Sequence, residues 1–258
     1  MIILKDGDNR NDVLGLTNDD LKIIEMGLKG LIENDNNVNP NRVWQLIRGF
    51  NNNLAFFDTD TDSVPMYRKI GDDCFNTVDL GLPSGLLWAT CNVGANSPEQ
   101  AGLYFAWGEV TGYTAEQVTR GERKFLKKIY NAKRIKTDLT LEQDAAHVCM
   151  GGKWRMPTQV EFQELIDNCT ATWTDDYNGT GVAGMLFTSK VNGNSVFFPA
   201  AGYCVDSSVY NAGSNGNYWS ASLDDLSYAW YLNFGSGNVY VYNYYRNYGF
   251  SVRGVCER

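Results

Sequence analysis

Histidine occurs once in this chain, at His147. The six cysteines, Cys74, Cys91, Cys149, Cys169, Cys204 and Cys256, form no CxxC pair. A Ser-His-Asp or Cys-His arrangement therefore has a single imidazole to draw on, and the spacing disfavours a zinc site or a dithiol redox pair. Buried free thiols are the expectation, and no metal or other cofactor is expected. No apolar run approaches the roughly 20 residues of a membrane-spanning helix, so no membrane insertion is expected. Met1-Ile2-Ile3-Leu4 runs directly into Lys5-Asp6-Gly7-Asp8, which is not a signal-peptide pattern. Basic residues are also short, 22 Lys and Arg against 30 Asp and Glu, for a net charge of -8. The dense basic tract, Arg123 to Lys136, reads as a solvated insertion. Nucleic acid is not an expected partner.

Tyrosine and asparagine are abundant in one place. Between Tyr228 and Tyr248 stand seven Tyr (Tyr228, Tyr231, Tyr240, Tyr242, Tyr244, Tyr245, Tyr248) and four Asn (Asn233, Asn238, Asn243, Asn247), with no Lys, Glu, Gln, Met or Pro. Asn is encoded AAY and Tyr TAY. Randomising the adenines of AAY codons yields Asn, Tyr, Asp, Ser and Gly, and cannot yield Lys, Glu, Gln or Met. Such a segment is chemically useful, because Tyr supplies large, stiff contact area with a polar tip while Asn, Ser and Gly supply adaptable hydrogen bonding. A plain Tyr-rich hairpin is the simpler alternative, since Tyr favours strands and Asn favours turns.

Period-2 alternation favours a displayed surface. In Asn238 to Tyr242 the valines share one face, and Asn238, Tyr240 and Tyr242 the other. In the run before it, Trp230, Leu232 and Phe234 are expected inside, with Ala229, Tyr231 and Asn233 toward water. Gly235-Ser236-Gly237 supplies the turn. The predicted contact residues are Asp224, Asp225, Ser227, Tyr228, Tyr231, Asn233, Ser236, Asn238, Tyr240, Tyr242, Asn243, Tyr244, Tyr245, Asn247 and Tyr248. On this reading, replacing Tyr240, Tyr242 and Tyr244 together with Asn or Ser leaves the melting temperature nearly unchanged, whereas Trp230→Ala costs about 3–5 kcal/mol.

The chain divides into a helical element with linker, residues 1–72, and a larger domain, residues 73–258. Thr17 and Asn18 can cap a helix with Leu21, Ile24, Leu28, Leu31 and Ile32 on one face, and Asn39-Pro40 can open another. Asp58 to Asp62 resembles the start of a calcium loop but has Ser63 and Lys69 where Gly and Glu are required, so it reads as a linker. From Cys74 onward the texture is short strands, Gly-rich turns and aromatics, an α+β pattern. Thr140 with Gln143 and Thr158 with Glu161 have capping-box spacing, predicting helices near 141–150 and 158–168. The second carries Val160, Phe162, Leu165 and Ile166 for packing. His147, within Ala145 to Cys149, reads as a satisfied core histidine.

Val78-Asp79-Leu80-Gly81-Leu82-Pro83-Ser84-Gly85-Leu86-Leu87-Trp88-Ala89-Thr90 and Tyr104-Phe105-Ala106-Trp107-Gly108-Glu109 resemble the opening of the Fibrobacter succinogenes major-paralogous domain, common in gut Bacteroides proteins. Gly152 to Thr158 is similar to the "RLPT" segment of formylglycine-generating-enzyme-like folds. Gly216 to Ser222 and Gly249 to Arg253 complete the likeness, which covers about 185 residues. The resemblance implies a C-type-lectin-like fold whose domain termini pair. It also implies a C-terminal variable region, about residues 218–250, of the kind that a diversity-generating retroelement rewrites by adenine-specific copying. It carries no oxidase chemistry across, because only Cys256 lies near the end of the chain. The calcium ligands of sugar-binding relatives, Glu-Pro-Asn or Gln-Pro-Asp with Trp-Asn-Asp, are absent. The expectation is a non-enzymatic binding protein whose partner is a protein or glycan receptor on a cell surface. The N-terminal element would join it to a phage tail or surface assembly, with an oligomer plausible for multivalency. A fixed adhesin or structural protein of the same fold is the alternative.

Overall fold

The computed structural model describes residues 77–122 and 135–258. These belong to the larger of two compact units, Pro65–Arg258. The expected N-terminal helices, the Asp58–Asp62 linker, Cys74 and residues 123–134 of the basic tract lie outside the described residues.

Strand formation dominates. Strands β1 (Thr77–Asp79) and β2 (Leu87–Asn92) pair antiparallel, and the final strand, β13 (Arg253–Cys256), adds to the other side of β2. The two ends of the described domain thus meet in one small sheet. A meander of β4 (Cys169–Thr174), β5 (Gly184–Ser189) and β6 (Ser195–Pro199) forms a second sheet, and β7 (Tyr203–Val205) with β8 (Ser208–Tyr210) a short hairpin. The largest sheet has five strands in the order β11, β10, β9, β12, β3. These span Asn238–Tyr245, Tyr228–Gly235, Asn215–Leu223, Phe250–Ser251 and Tyr104–Phe105 respectively. The α+β expectation holds with the weight on β.

Helices are short, and the one expected near 141–150 is split at Asp144, whose side chain caps the second piece by accepting from His147 N. They are α1 (Ala115–Thr119), α2 (Ala145–Met150) and α3 (Gln159–Asn168), with a 3-10 turn at Leu141–Gln143. Both expected capping boxes form, Thr140 with Gln143 and Thr158 with Glu161. Thr114 and Gln117 form a third that the sequence reading did not name. On α3, Phe162 and Leu165 are buried and Ile166 packs beside them, but Val160 is 72% exposed and joins no core. Its position in the first turn, a residue after Gln159, rotates it off the packed stripe.

Two apolar clusters lie on either side of the five-stranded sheet. One gathers Trp107, Trp219, Ala229, Tyr231, Phe250 and Val252 with α2 residues. The other gathers Trp88, Phe162, Leu165, Phe187, Phe198, Tyr218, Leu232 and Phe234. Two indole donors inside them are satisfied by main chain, Trp107 Nε1 by Ser220 O at 2.7 Å and Trp219 Nε1 by Phe105 O at 2.9 Å, whereas Trp88 Nε1 is buried with no hydrogen-bond partner among the described residues. Gly216 has no substitute, because a Cβ there would stand 2.0 Å from the Phe234 ring.

Arg253, fully buried, ties three elements together. Its Nε donates to Asn92 Oδ1 at 3.0 Å, Nη1 to Ala89 O at 2.8 Å and Nη2 to Phe197 O at 2.9 Å, while the guanidinium lies over the Phe198 ring, 4.4 Å from its centroid. Arg155 forms a two-pronged pair with Glu161 at 2.6 and 2.8 Å. His147 Nδ1 sits 3.0 Å from Trp154 O. Among the described residues no disulfide joins any two of Cys91, Cys149, Cys169, Cys204 and Cys256; Cys91 is half-buried and the others are buried.

Two outcomes follow. Arg253→Ala strands three carbonyl-type acceptors in the core and lowers unfolding stability by about 3 kcal/mol or more, read by denaturant titration. Burial raises the Glu161 pKa, but the Arg155 and Thr158 hydrogen bonds outweigh it and hold the carboxyl below its usual range. A depressed folded pKa gives stability that is present above the unfolded value, near 4.5, and is lost as pH falls through the folded one. Glu161→Gln flattens the acid limb of the stability profile; an unchanged limb would remove this pair from the acid response.

Candidate functional site

The β10–β11 hairpin is closed by the two residues Ser236 and Gly237, with Gly235 opposite Asn238 and an unbroken register to Tyr228 opposite Tyr245. Among the described residues β11 is an edge strand. Side chains directly opposite one another share a face. One face therefore carries Asn233 with Tyr240, Tyr231 with Tyr242 and Ala229 with Tyr244. The other carries Leu232 with Val241, Phe234 with Val239, Trp230 with Asn243 and Tyr228 with Tyr245.

β11 alternates as expected. Asn238, Tyr240 and Tyr242 are exposed, the two tyrosines at 41% and 57%, while Val239 and Val241 pack on the second core cluster. The Tyr240 and Tyr242 rings stand edge to face with centroids 6.2 Å apart. Ser236 is exposed at the hairpin turn.

β10 does not alternate, and here the expectation is corrected. Tyr231 and Asn233 do not face water: they are 6% and 8% exposed. The sheet is covered on both faces, so Tyr231 packs against Trp219 and Phe250 while Leu232 and Phe234 fill the opposite cluster. Asn233 Nδ2 donates to Asn217 Oδ1 at 2.8 Å within that interior. Ala229 is likewise buried, and Trp230, expected in the core, is half-exposed beside a bulge in the β9–β10 pairing. Trp230→Ala therefore costs less than the 3–5 kcal/mol of a core indole. Tyr244 is also no free surface residue, lying 6.0 Å from both Tyr231 and Phe250.

The remaining predicted residues gather at the far end of the hairpin. Asp225 Oδ1 accepts from Ser227 N and Tyr228 N at 2.6 and 2.8 Å, shaping the β9–β10 turn, and Asp224 Oδ2 accepts from Asn243 Nδ2 at 2.8 Å. Both carboxylates are exposed, and Ser227 is half-buried. The Tyr228 and Tyr245 rings lie 4.6 Å apart. The hydrogen bond to Tyr245, with lesser contributions from burial and from the charges of Tyr245 and Asp225, pushes the Tyr228 hydroxyl up to about 12. Tyr248 is half-buried, 4.8 Å from Tyr244, and Asn247 is half-buried in the turn after β11. That turn begins at Arg246, since β11 runs through Tyr245.

Two contributions escaped the sequence reading. Arg246 is 4% exposed inside the Tyr/Asn segment, stacks 4.3 Å over the Trp107 ring and donates to Ile135 O and Leu226 O at 3.2 and 3.3 Å. Burial lowers its pKa to about 10. Its signal was available, since it is the one cation in a stretch otherwise free of formal charge. Tyr203 and Tyr210 extend the aromatic row from the β7–β8 hairpin, with Tyr203 5.5 Å from Tyr210 and 5.8 Å from Tyr248. Only tertiary pairing, through the Cys204–Gly249 bridge, brings them there. Among the described residues no group of His, Cys, Asp and Glu is placed to hold a metal ion.

The geometry separates two kinds of tyrosine. Tyr240→Ser with Tyr242→Ser should change unfolding stability by no more than about 0.5 kcal/mol, whereas Tyr231→Ser should cost about 3 kcal/mol. Thermal melts of the two variants decide it, and an equal loss in both would contradict the assignment.

No curated protein and no solved structure matches this chain. The profile of one family, the Lcl C-terminal domain, matches residues 81–256, which takes in β2 through β13 and the whole Tyr/Asn hairpin. The chain belongs to the Lcl C-terminal domain family.

Proposed function

We propose that this is a non-enzymatic recognition protein whose β10–β11 hairpin displays a Tyr/Asn surface diversified by a retroelement. The carrying observation is the split within that hairpin: exposed Asn238, Tyr240, Tyr242 and Tyr245 stand on a strand whose Val239 and Val241 are fixed against the core. Side chains on the outer positions can change without disturbing what holds the backbone. Codon chemistry supports the same reading, since Tyr, Asn, Asp and Ser fill the outer positions. The first and last strands of the domain, β1 and β13, flank β2 in one sheet, and this meeting of the two ends supports a C-type-lectin-like scaffold.

On this reading the ligand is a protein or glycan receptor on another cell's surface. The N-terminal element, residues 1–72, joins the domain to a phage tail or a cell-surface assembly, where several copies raise weak single-site affinity by multivalency. Tyr228, Tyr245, Asn243, Asp224 and Asp225 form one contact cluster and Asn238, Tyr240 and Tyr242 another.

Sequencing the flanking DNA tests diversification. The expected result is a nearby non-coding repeat of the segment for residues 218–250, differing only where the repeat has adenine, with a reverse-transcriptase gene beside it. Identical Tyr and Asn codons in every isolate, with no such repeat, would leave a fixed binding surface instead.

A further inference from the structure

A second property of β11 lies in its main chain. The strand has eight residues, Asn238–Tyr245, and, among the described residues, a strand partner on one side only. Edge strands commonly carry charge, proline or a bulge that prevents further pairing. β11 has none of these: its sequence is Asn-Val-Tyr-Val-Tyr-Asn-Tyr-Tyr, and its register against β10 is continuous. Closure of the hairpin over two residues makes Gly235 and Asn238 a hydrogen-bonded pair, and the alternation then turns the amide and carbonyl groups of Val239, Val241 and Asn243 outward. The bond from Arg246 N to Ser227 O continues the same alternation past the end of the strand. Resting on the recognition reading above, we propose that β11 accepts an extended basic segment of a partner protein as an added strand, hydrogen-bonded through the outward main chain of Val239, Val241 and Asn243.

Charge selects the occupant. Among the described residues of the turns and strand at this edge, 224–228 and 236–248, the formal charges are exposed Asp224 and Asp225 and buried Arg246. Asp224 reaches β11 itself through Asn243. Lysine or arginine side chains alternating along an added strand would meet these carboxylates and the faces of Tyr240, Tyr242 and Tyr245. A second copy of this chain fits worse, since it would bring the same carboxylates together between chains of net charge -8. A pairing of eight residues alone is also small beside the roughly 1,200 Å² that a stable interface buries. Main-chain pairing further suits a diversified strand, because it survives changes of side chain.

The test pans a displayed library of random linear peptides against the immobilised full chain, then measures the enriched peptides against two variants. Asn243→Pro removes an outward amide at an edge position that tolerates proline, and Tyr242→Ser leaves the main chain intact. Circular dichroism and a thermal melt confirm that each variant is folded, and Val241→Pro provides a second outward amide should the first fail. The expected peptides are rich in Lys or Arg, and bind the proline variant at least about tenfold more weakly while Tyr242→Ser shifts their affinity less. Failure to enrich basic peptides, or equal binding to the proline variant, overturns the proposal. Self-association of the full chain in sedimentation, abolished by the proline variant, overturns the occupant in favour of a second copy. If cell-surface binding is lost on changing Tyr240 and Tyr242 but kept in the proline variant, the recognition face stands and the added strand falls.

Discussion

Strand β10 is covered on both faces. Tyr231 and Ala229 press against Trp219 and Phe250 on one side, and Leu232 and Phe234 against Tyr218, Phe162 and Phe187 on the other. This two-sided burial fixes the hairpin in a single register, because a slip of one residue would exchange the two sets and leave Asn233 facing the wrong cluster. It also limits what can vary. Positions on β10 are committed to packing, and freedom begins one strand out, on β11, where no described residue covers the outer face of Tyr240 and Tyr242.

Buried cations secure the edges of this arrangement. Arg253 joins β13 to β2 and β6 by satisfying acceptors that would otherwise be stranded, and its planar fork reaches three of them at once. Arg246 performs the corresponding task under the Tyr/Asn segment, bonding the carbonyls of Ile135 and Leu226 while lying on Trp107. The segment with the most changeable-looking residues is thus anchored at its far end by a residue of another kind. Dense Tyr contacts add to this: Tyr244 and Tyr248 sit between the interior ring of Tyr231 and the outer rings of Tyr203 and Tyr245, grading the cluster from core to surface.

Much of the local structure was readable from residues alone. The capping boxes at Thr140 and Thr158, the turn at Ser236-Gly237 and the alternation along Asn238 to Tyr242 are decided by short-range chemistry, and each appears where the pattern puts it. The inward positions of β10 were misread for a tertiary reason. Alternation says which residues share a face, but it takes a second packing layer to make both faces interior, and nothing within 229–234 announces that layer. The same limit hid Tyr203 and Tyr210, which reach the aromatic row through a pairing 45 residues apart in sequence, Cys204 with Gly249. Arg246 was legible as an isolated cation, though its stacking partner Trp107 was not.

The central claim is that the interior of the hairpin is fixed and its outer positions are free. A saturation library across residues 224–248, displayed and sorted for folded protein, measures this position by position. The account predicts wide tolerance at Ser236, Asn238, Tyr240, Tyr242 and Tyr245, and narrow tolerance at Ala229, Tyr231, Leu232, Asn233, Phe234 and Arg246. Uniform tolerance along both strands, or intolerance at Tyr240 and Tyr242 equal to that at Tyr231, would contradict it.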